Sequence, residues 1–226
     1  RLLEVIDGLV YSPLRAVNAT VAYIFRSLAA DPPPTLLFDE CDTIFGSKKV
    51  AENNEELRGL LNAGFQRGLP FGRTVGPMHT PTEFSTFAMA ALAGIGRFPE
   101  TIEDRGPVIV MKRRTVGEKV QPYRISRDGP VLHTLRDEIA KWAAMSMERA
   151  KAQGEPDLPV EDRAADLWAP LVAVADLAGG DWPQRARAAA VALVAAAAQE
   201  DTSRSTSLQL LGDIRTVFEG KFMKSV

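Results

Sequence analysis

The hydrophobic positions in the first half of the chain follow two different spacings. Apolar residues recur every three to four positions in segments 2–10 and 23–28, which predicts amphipathic helices there. Short and almost wholly apolar runs at 35–38, 87–95 and 108–111 predict strands that are buried on both faces, as in a parallel sheet. Helices that alternate with such strands are typical of an α/β domain.

The segments between these elements predict further structure. Residues 53–66 carry an amphipathic helical pattern, and residues 15–20 are expected to contain a short strand. Residues 71–87 are rich in Gly, Pro and Thr, which predicts an irregular hairpin.

The second half of the chain contains only helical patterns. Thr134 and Asp137 are spaced as in a capping box, which predicts the start of a helix at this point. Further helices are predicted over 182–199 and 208–218, and Gly179-Gly180 predicts the end of the helix that precedes them. We therefore expect an α/β core followed by an all-helical part.

Composition excludes several classes of function. The chain has 226 residues and a formal net charge of −2, so any contact with nucleic acid must come from a local basic patch. Cys41 is the only cysteine, which excludes an intrachain disulfide, and we expect it to pack in the core. The chain has only two histidines in addition to this cysteine, so no zinc cluster is expected either. No run of 18 apolar residues occurs, so we expect no membrane span. The single cysteine fits a reducing environment, so we expect a cytoplasmic protein.

Two acidic residues, Asp39 and Glu40, directly follow the apolar run at 35–38. Parallel sheets bind ligands at the carboxyl ends of their strands. Since successive strand side chains point to opposite sides, the two acids are candidates for different tasks in phosphoryl transfer. Asp39 is the candidate Mg²⁺ ligand, and Glu40 is the candidate base for the attacking water. The alternative is a pair of solvated acids at a strand end.

The segment TLLFDECD resembles the Walker B strand of AAA-type P-loop ATPases. The stretch AMAALAGIGRFPETIEDRGPVIVMKRR resembles the next core strand, short helix and final strand of that superfamily. More narrowly, five segments resemble an actinobacterial and phage-associated family of unknown function, number 3631, whose members look like replication ATPases or helicases of mobile elements. These segments are TLLFDECDTIFG, NEELRGLLNAGFQRG, LAGIGRFP, DRAADLWAPLVAVADLAGGDWPQRAR and LLGDIRTVF.

The resemblance implies a fold, ligands and an assembly. The fold is a P-loop NTPase-like, mostly parallel sheet core at 1–127, followed by an all-helical lid at 128–200 and the start of a further helical element at 201–226. The ligands are ATP and Mg²⁺, and Asp39 is the candidate contact for both. Arg105 matches an arginine finger that reaches the neighbouring subunit's site, which implies a homo-oligomeric ring. The alternative for Arg105 is a surface pair with Asp104 or Glu103.

Two features of the superfamily pattern are missing. No G-x-x-x-x-G-K-[ST] loop occurs in the chain. Because residues 2–10 resemble the helix after such a loop, we expect the loop upstream of Arg1 and this fragment to be inactive alone. The superfamily also places a polar sensor residue after the next strand, and the matching position here lies near Gly94 or Gly96, which have no side chain.

Five basic or titratable residues are candidate DNA contacts. Arg73 and His79 lie in the predicted hairpin, and Lys112, Arg113 and Arg114 form the densest basic cluster. An ordinary loop and a charged sheet edge are the respective alternatives. The predicted function is therefore an ATP-hydrolysing motor of a mobile element that acts on single-stranded or duplex DNA. The alternative is a non-catalytic ATPase-like scaffold or a DNA-binding module.

Overall fold

The computed structural model describes residues 1–15, 20–45, 54–204 and 206–222. The chain divides into two compact units, Arg1–Met147 and Glu148–Val226. Every strand that the described residues form lies in the first unit, and the second unit is helical. The predicted boundaries at 127/128 and 200/201 both fall within helices, Ile125–Gln153 and Trp182–Arg204. The division into core, lid and further element therefore stays a prediction.

The elements of the first unit alternate between helices and strands. They are α1 Leu2–Leu9, β1 Pro13–Arg15, α2 Val21–Leu28, β2 Thr35–Phe38, α3 Asp42–Phe45, α4 Glu55–Ala63, β3 Phe71–Val75, β4 Thr80–Phe84, β5 Ala90–Leu92, α5 Glu100–Glu103 and α6 Ile125–Gln153.

Strands β1, β2 and β5 form a parallel sheet in the order β1-β2-β5 among the described residues. Leu36 of β2 lies opposite Leu14 on one side and Ala90 on the other. The predicted strand at 35–38 is confirmed residue for residue, and the one within 87–95 is confirmed over its middle. The strand expected within 15–20 begins earlier, at Pro13, and residues 16–19 lie outside the described part of the chain.

The core of the first unit lies between α2, β2 and α4. Thr20 caps α2, since its Oγ1 accepts the amide of Tyr23 at 3.3 Å. The buried side chains are at most 5% exposed, and each contributes about 1.5–3 kcal/mol by leaving water. They are Ile24, Phe25, Leu28, Leu36, Phe38, Leu57 and Leu60.

Strands β3 and β4 form a regular antiparallel hairpin, where the sequence predicted an irregular one. The pairing runs without interruption from Phe71 opposite Phe84 to Val75 opposite Thr80. Phe71 also stacks on Phe25 of α2, with ring centroids 4.6 Å apart. Aromatic stacking therefore fixes the end of the hairpin opposite its turn to the core.

Two expectations from the sequence are wrong. Residues 108–111 form no strand, and their side chains are exposed, from 37% at Val108 to 70% at Met111. Apolar residues need a paired neighbour to form a buried strand, and none of the described residues pairs with this segment. Thr134 does not start a helix either, because it lies inside α6 and its Oγ1 donates to the carbonyl oxygen of Pro130 at 3.1 Å.

Within the described residues, the second unit contains the end of α6 and three further helices, which are α7 Asp162–Ala178, α8 Trp182–Arg204 and α9 Thr206–Phe222. Helix α7 packs on α8, and Trp168 and Val172 of α7 are buried. Gly179 follows α7 with a φ of 71°, so the predicted glycine end of this helix is confirmed.

Candidate active site

Asp39 and Glu40 lie at the carboxyl end of β2, the middle strand of the parallel sheet, and both are exposed. Oδ1 of Asp39 accepts the amide of Glu40 at 2.9 Å. Glu40 has a φ of 53°, a left-handed backbone that costs a non-glycine residue about 1–2 kcal/mol. Because β2 ends at Phe38, this turn, and not strand alternation, determines where the two carboxylates point.

The chain after the acid pair is tied to the chain after β5. The amide of Ala93 donates to Phe38 O at 2.9 Å, and the amide of Cys41 donates to Ala93 O at 2.9 Å. Oδ1 of Asp42 accepts the amide of Ile95 at 3.0 Å. The sequence placed Asp42 after the apolar run but assigned no role to it or to Ala93, and only the register of the parallel strands brings these two segments together.

Gly94, at one of the two positions matched to the sensor, has a packing role. A Cβ atom there would lie 3.0 Å from the amide nitrogen of Asp42 and 3.0 Å from the ring of Phe98. These distances are shorter than ordinary van der Waals contact, so a side chain at this position would displace its neighbours. Gly96, the other matched position, has a φ of 87°, which also favours glycine.

Cys41 is a core residue, as predicted from the sequence, with no measurable exposure. Burial raises the pKa of its thiol to about 11, and the neighbouring charges of Asp39 and Asp42 act in the same direction. Its Sγ lies 3.7 Å from Phe38 O. The thiol is therefore neutral at physiological pH and unsuited to nucleophilic attack.

The acid pair offers two carboxylates at one end of the sheet. No group of three His, Cys, Asp or Glu side chains capable of holding a metal occurs within the described ranges. Mg²⁺ sites at nucleotides use one or two carboxylates and complete their coordination with waters and phosphate oxygens. The exposed carboxylate of Asp39 is a donor of that kind and does not require a protein cage.

Arg105 is half-buried and contacts α4 and α5. Its Nε donates to the carbonyl oxygen of Asn62 at 3.1 Å, its Nη1 donates to the carbonyl oxygen of Thr101, and its guanidinium lies 5.6 Å from the ring centroid of Phe65. Glu103, a partner considered from the sequence, instead pairs with Arg97 at 3.1 Å. Arg105 thus connects two helices of its own chain.

Asn62, the residue whose carbonyl oxygen Arg105 contacts, was not singled out by the sequence. Its side-chain Oδ1 is buried and has no hydrogen-bond partner among the described residues. Asn62 is one of several polar residues in the helical pattern at 53–66, and nothing in that pattern predicts that its side-chain oxygen is buried.

The two hairpin candidates have different surroundings. Arg73 pairs with Glu56 of α4 at 2.5 Å, so its charge is already compensated, and it lines a groove of about 160 Å³ beside Arg26 and Phe84. His79 lies exposed in the hairpin turn with a φ of 48°, and its amide donates to Gly76 O at 3.1 Å. The turn at His79 is therefore more exposed than Arg73.

Lys112, Arg113 and Arg114 are exposed on an extended segment that leads into a turn at Thr115–Glu118. The amide of Thr115 donates to Oε2 of Glu118 at 2.9 Å. Since residues 108–111 form no strand, a charged sheet edge does not account for this basic cluster.

No helix within the described residues is long and apolar enough to cross a membrane.

Comparison with known proteins identifies relatives without a known activity. The family described as "Protein of unknown function (DUF3631)" matches residues 110–226. This range includes the basic cluster and the helical unit, and the acid pair lies before it. An "Uncharacterized 28.9 kDa protein in xis 5'region" of Saccharopolyspora erythraea is 52% identical over 108 residues, which are 48% of this chain and 40% of that protein. The match thus spans less than half of that relative's length, and no solved structure matches the chain.

Proposed function

We propose that this chain, which belongs to the DUF3631 family, is part of an ATP-hydrolysing motor that acts on DNA in a mobile element. The observation that carries the proposal is the exposed pair Asp39 and Glu40 at the carboxyl end of the middle strand of a parallel sheet. Open α/β sheets bind their ligands at this end. The proposal includes a P-loop NTPase-like core, an all-helical lid and assembly into a homo-oligomer.

Each acidic residue would have one task. Bound Mg²⁺ would neutralise charge on the ATP phosphates, which is the chemistry that the metal supplies. The Asp39 carboxylate would hold this ion, directly or through water. The Glu40 carboxylate would orient the attacking water and accept its proton, a role that requires a base within hydrogen-bond reach of that water. Arg105 would stabilise charge on the transferred phosphoryl group after leaving its contacts with Asn62 and Thr101.

Two observations support DNA as the partner. The name of the Saccharopolyspora relative locates it in the 5' region of xis, which we interpret as the setting of a mobile element. The hairpin turn at His79 and the segment with Lys112, Arg113 and Arg114 are both exposed, so phosphate groups can reach them. Cationic side chains supply most of the affinity for DNA that does not depend on its sequence.

ATP hydrolysis by a longer form of the protein that includes a phosphate-binding loop tests the proposal. Wild type, Glu40→Gln and the control Glu138→Gln, an exposed site on α6, are compared with and without single-stranded DNA. We expect DNA-stimulated turnover in wild type and control, and loss of turnover with ATP binding retained in Glu40→Gln. Equal and negligible turnover in all three proteins would contradict the proposal.

A non-catalytic scaffold is the second candidate, and Gly94 is the observation that favours it. Gly94 approaches Asp42 and Phe98 so closely that a polar side chain at this sensor position would have to displace them. In that case the longer protein would bind DNA with the same affinity with and without ATP.

A further inference from the structure

Asp42 is the third acidic residue at this end of the sheet, and its carboxylate faces the protein backbone. Oδ1 accepts the amide of Ile95 at 3.0 Å, a residue that lies 53 positions later in the chain. Asp42 is also the first residue of α3, so one side chain connects the start of that helix to the chain leaving β5. Hydrogen bonds from a backbone amide to a carboxylate are stronger than those to neutral oxygens.

The backbone around Asp42 packs closely against the chain that leaves β5. The amide of Cys41 donates to Ala93 O at 2.9 Å, which extends the pairing of the two strands beyond their ends. Gly94, the next residue of the same segment, approaches so closely that a Cβ would lie 3.0 Å from the Asp42 amide nitrogen and 3.2 Å from its Oδ1. A side chain at residue 94 would therefore press on the Asp42 backbone and carboxylate, which would have to shift by a few tenths of an ångström.

The same backbone contains the strained residue Glu40. Its left-handed conformation, with a φ of 53°, persists only if the surrounding structure holds it. The hydrogen bond of its amide to Asp39 holds one side of this turn. The contacts of Cys41 and Asp42 with the chain after β5 hold the other side.

We propose that Asp42 is a positioning residue that holds the turn at Glu40 against the end of β5 and so keeps the Glu40 carboxylate in its reactive position. This inference rests on the proposed ATPase function. In this role Asp42 acts through the backbone, by accepting the amide of Ile95 at its Oδ1, and does not itself take part in the reaction. A displacement of a catalytic group by about 1 Å can lower turnover by about 100-fold, so removal of this hydrogen bond is expected to affect kcat more than KM.

Four variants of the longer protein test the inference. Asp42→Ala removes the acceptor, Asp42→Asn keeps an oxygen at Oδ1, and Gly94→Ala inserts a methyl group against Asp42. Asp137→Ala on α6, whose carboxylate is 63% exposed, is the control. We expect Asp42→Ala to lower kcat by about 100-fold, and Gly94→Ala to lower it by a smaller factor, each with KM changed less than about threefold. Asp42→Asn is expected to retain kcat within about fivefold, because the acceptor remains.

A second measurement does not depend on turnover. Cys41 is the only cysteine and is fully buried beside Asp42, so a thiol reagent reports opening of this turn. We expect native Cys41 to react at least about tenfold faster in Asp42→Ala and Gly94→Ala than in wild type, Asp42→Asn and Asp137→Ala. If wild type shows no turnover, the proposed function fails, and the labelling rates alone then test the contact.

Three outcomes would overturn the positioning role. The first is wild-type kcat in Asp42→Ala, and the second is unchanged labelling of Cys41 in that variant. The third is an Asp42→Asn variant as inactive as Asp42→Ala, which would assign the role to the negative charge and not to the hydrogen bond.

Discussion

Arg187 donates two parallel hydrogen bonds to the carboxylate of Asp176, from Nη1 to Oδ1 at 2.6 Å and from Nη2 to Oδ2 at 2.9 Å. The pair joins α8 to α7, and Nε of Arg187 also donates to the carbonyl oxygen of Asp157 at 3.0 Å. One guanidinium therefore connects three segments of the helical unit.

Replacing Arg187 by lysine is expected to lower the Tm of the helical unit nearly as much as replacing it by alanine. A lysine ammonium cannot make two parallel bonds to a carboxylate. Thermal unfolding of both variants checks this, with Arg185→Lys as the control because Arg185 is 62% exposed and 3.8 Å from Asp181. A wild-type Tm in Arg187→Lys would show that the paired geometry does not stabilise the unit.

The same pair makes the stability of the wild-type protein depend on pH in the acidic range. The hydrogen bonds from Arg187 lower the pKa of Asp176 below its ordinary value of 3.8. The stabilisation is therefore fully present above about pH 4 and is lost as the pH falls towards the folded pKa. Arg187→Ala should lose less stability than wild type between about pH 4 and pH 2.

Gly64→Ala is expected to destabilise the first unit by about 1–3 kcal/mol, the usual cost of forcing atoms into a packed site. A Cβ at this position would lie 2.6 Å from the backbone oxygen of Thr86, which cannot rotate away. Gly59 in the same α4 region has nothing within 4 Å of an added Cβ, so Gly59→Ala should stabilise by about 0.5–1 kcal/mol. Urea unfolding measures both, and a Gly64→Ala variant as stable as Gly59→Ala would contradict the close approach.

Native Cys41 is expected to react with iodoacetamide more slowly at pH 8 than in the unfolded chain, because its thiolate fraction is about 100-fold lower even before any effect of steric exclusion. The thiolate is the reactive form, and a pKa of about 11 in place of 9.0 lowers its fraction by about that factor. The stability linked to this thiol is present below about pH 9 and is lost as the pH rises towards 11. Alkylation rates with and without urea test this, and equal rates would mean that Cys41 is accessible.

The triple variant Lys112→Ala, Arg113→Ala, Arg114→Ala is expected to lower the affinity for DNA by the same factor whatever the DNA sequence. The three side chains are exposed, and removing each cation that binds a phosphate should reduce the salt-dependence slope by about one. Binding measured over a range of salt concentrations gives this slope. Arg73→Ala is the comparison, since Arg73 is paired with Glu56 and should leave the slope unchanged.

Mixing two inactive variants tests Arg105 in the longer protein. If Arg105 acts on the neighbouring subunit's site, Arg105→Ala and Glu40→Gln are each inactive alone and recover part of the turnover when mixed. Arg105→Ala should also lower the Tm, because alanine cannot donate the hydrogen bonds to Asn62 and Thr101. A lower Tm without recovery on mixing would assign Arg105 to the stability of its own subunit alone.

The sequence predicted those elements whose signals are local. The strand Thr35–Phe38 is an apolar run followed by two acidic residues. Helix α7 stops before Gly179, whose positive φ favours glycine. The prediction failed where a partner was needed. Residues 108–111 have a strand-like pattern, yet they are exposed because no described strand pairs with them.

By itself, the sequence determined the buried strand β2, the position of Asp39 and Glu40 after it, and the helical second half. The spacing of apolar residues and the conformational preference of glycine depend only on residues that are close together in the sequence. Only the tertiary structure brought Asp42 to Ile95, and Arg105 to Asn62. These contacts join residues 53 and 43 positions apart. Their distances depend on strand register and helix packing, which arise from the whole core and leave no mark in the local pattern.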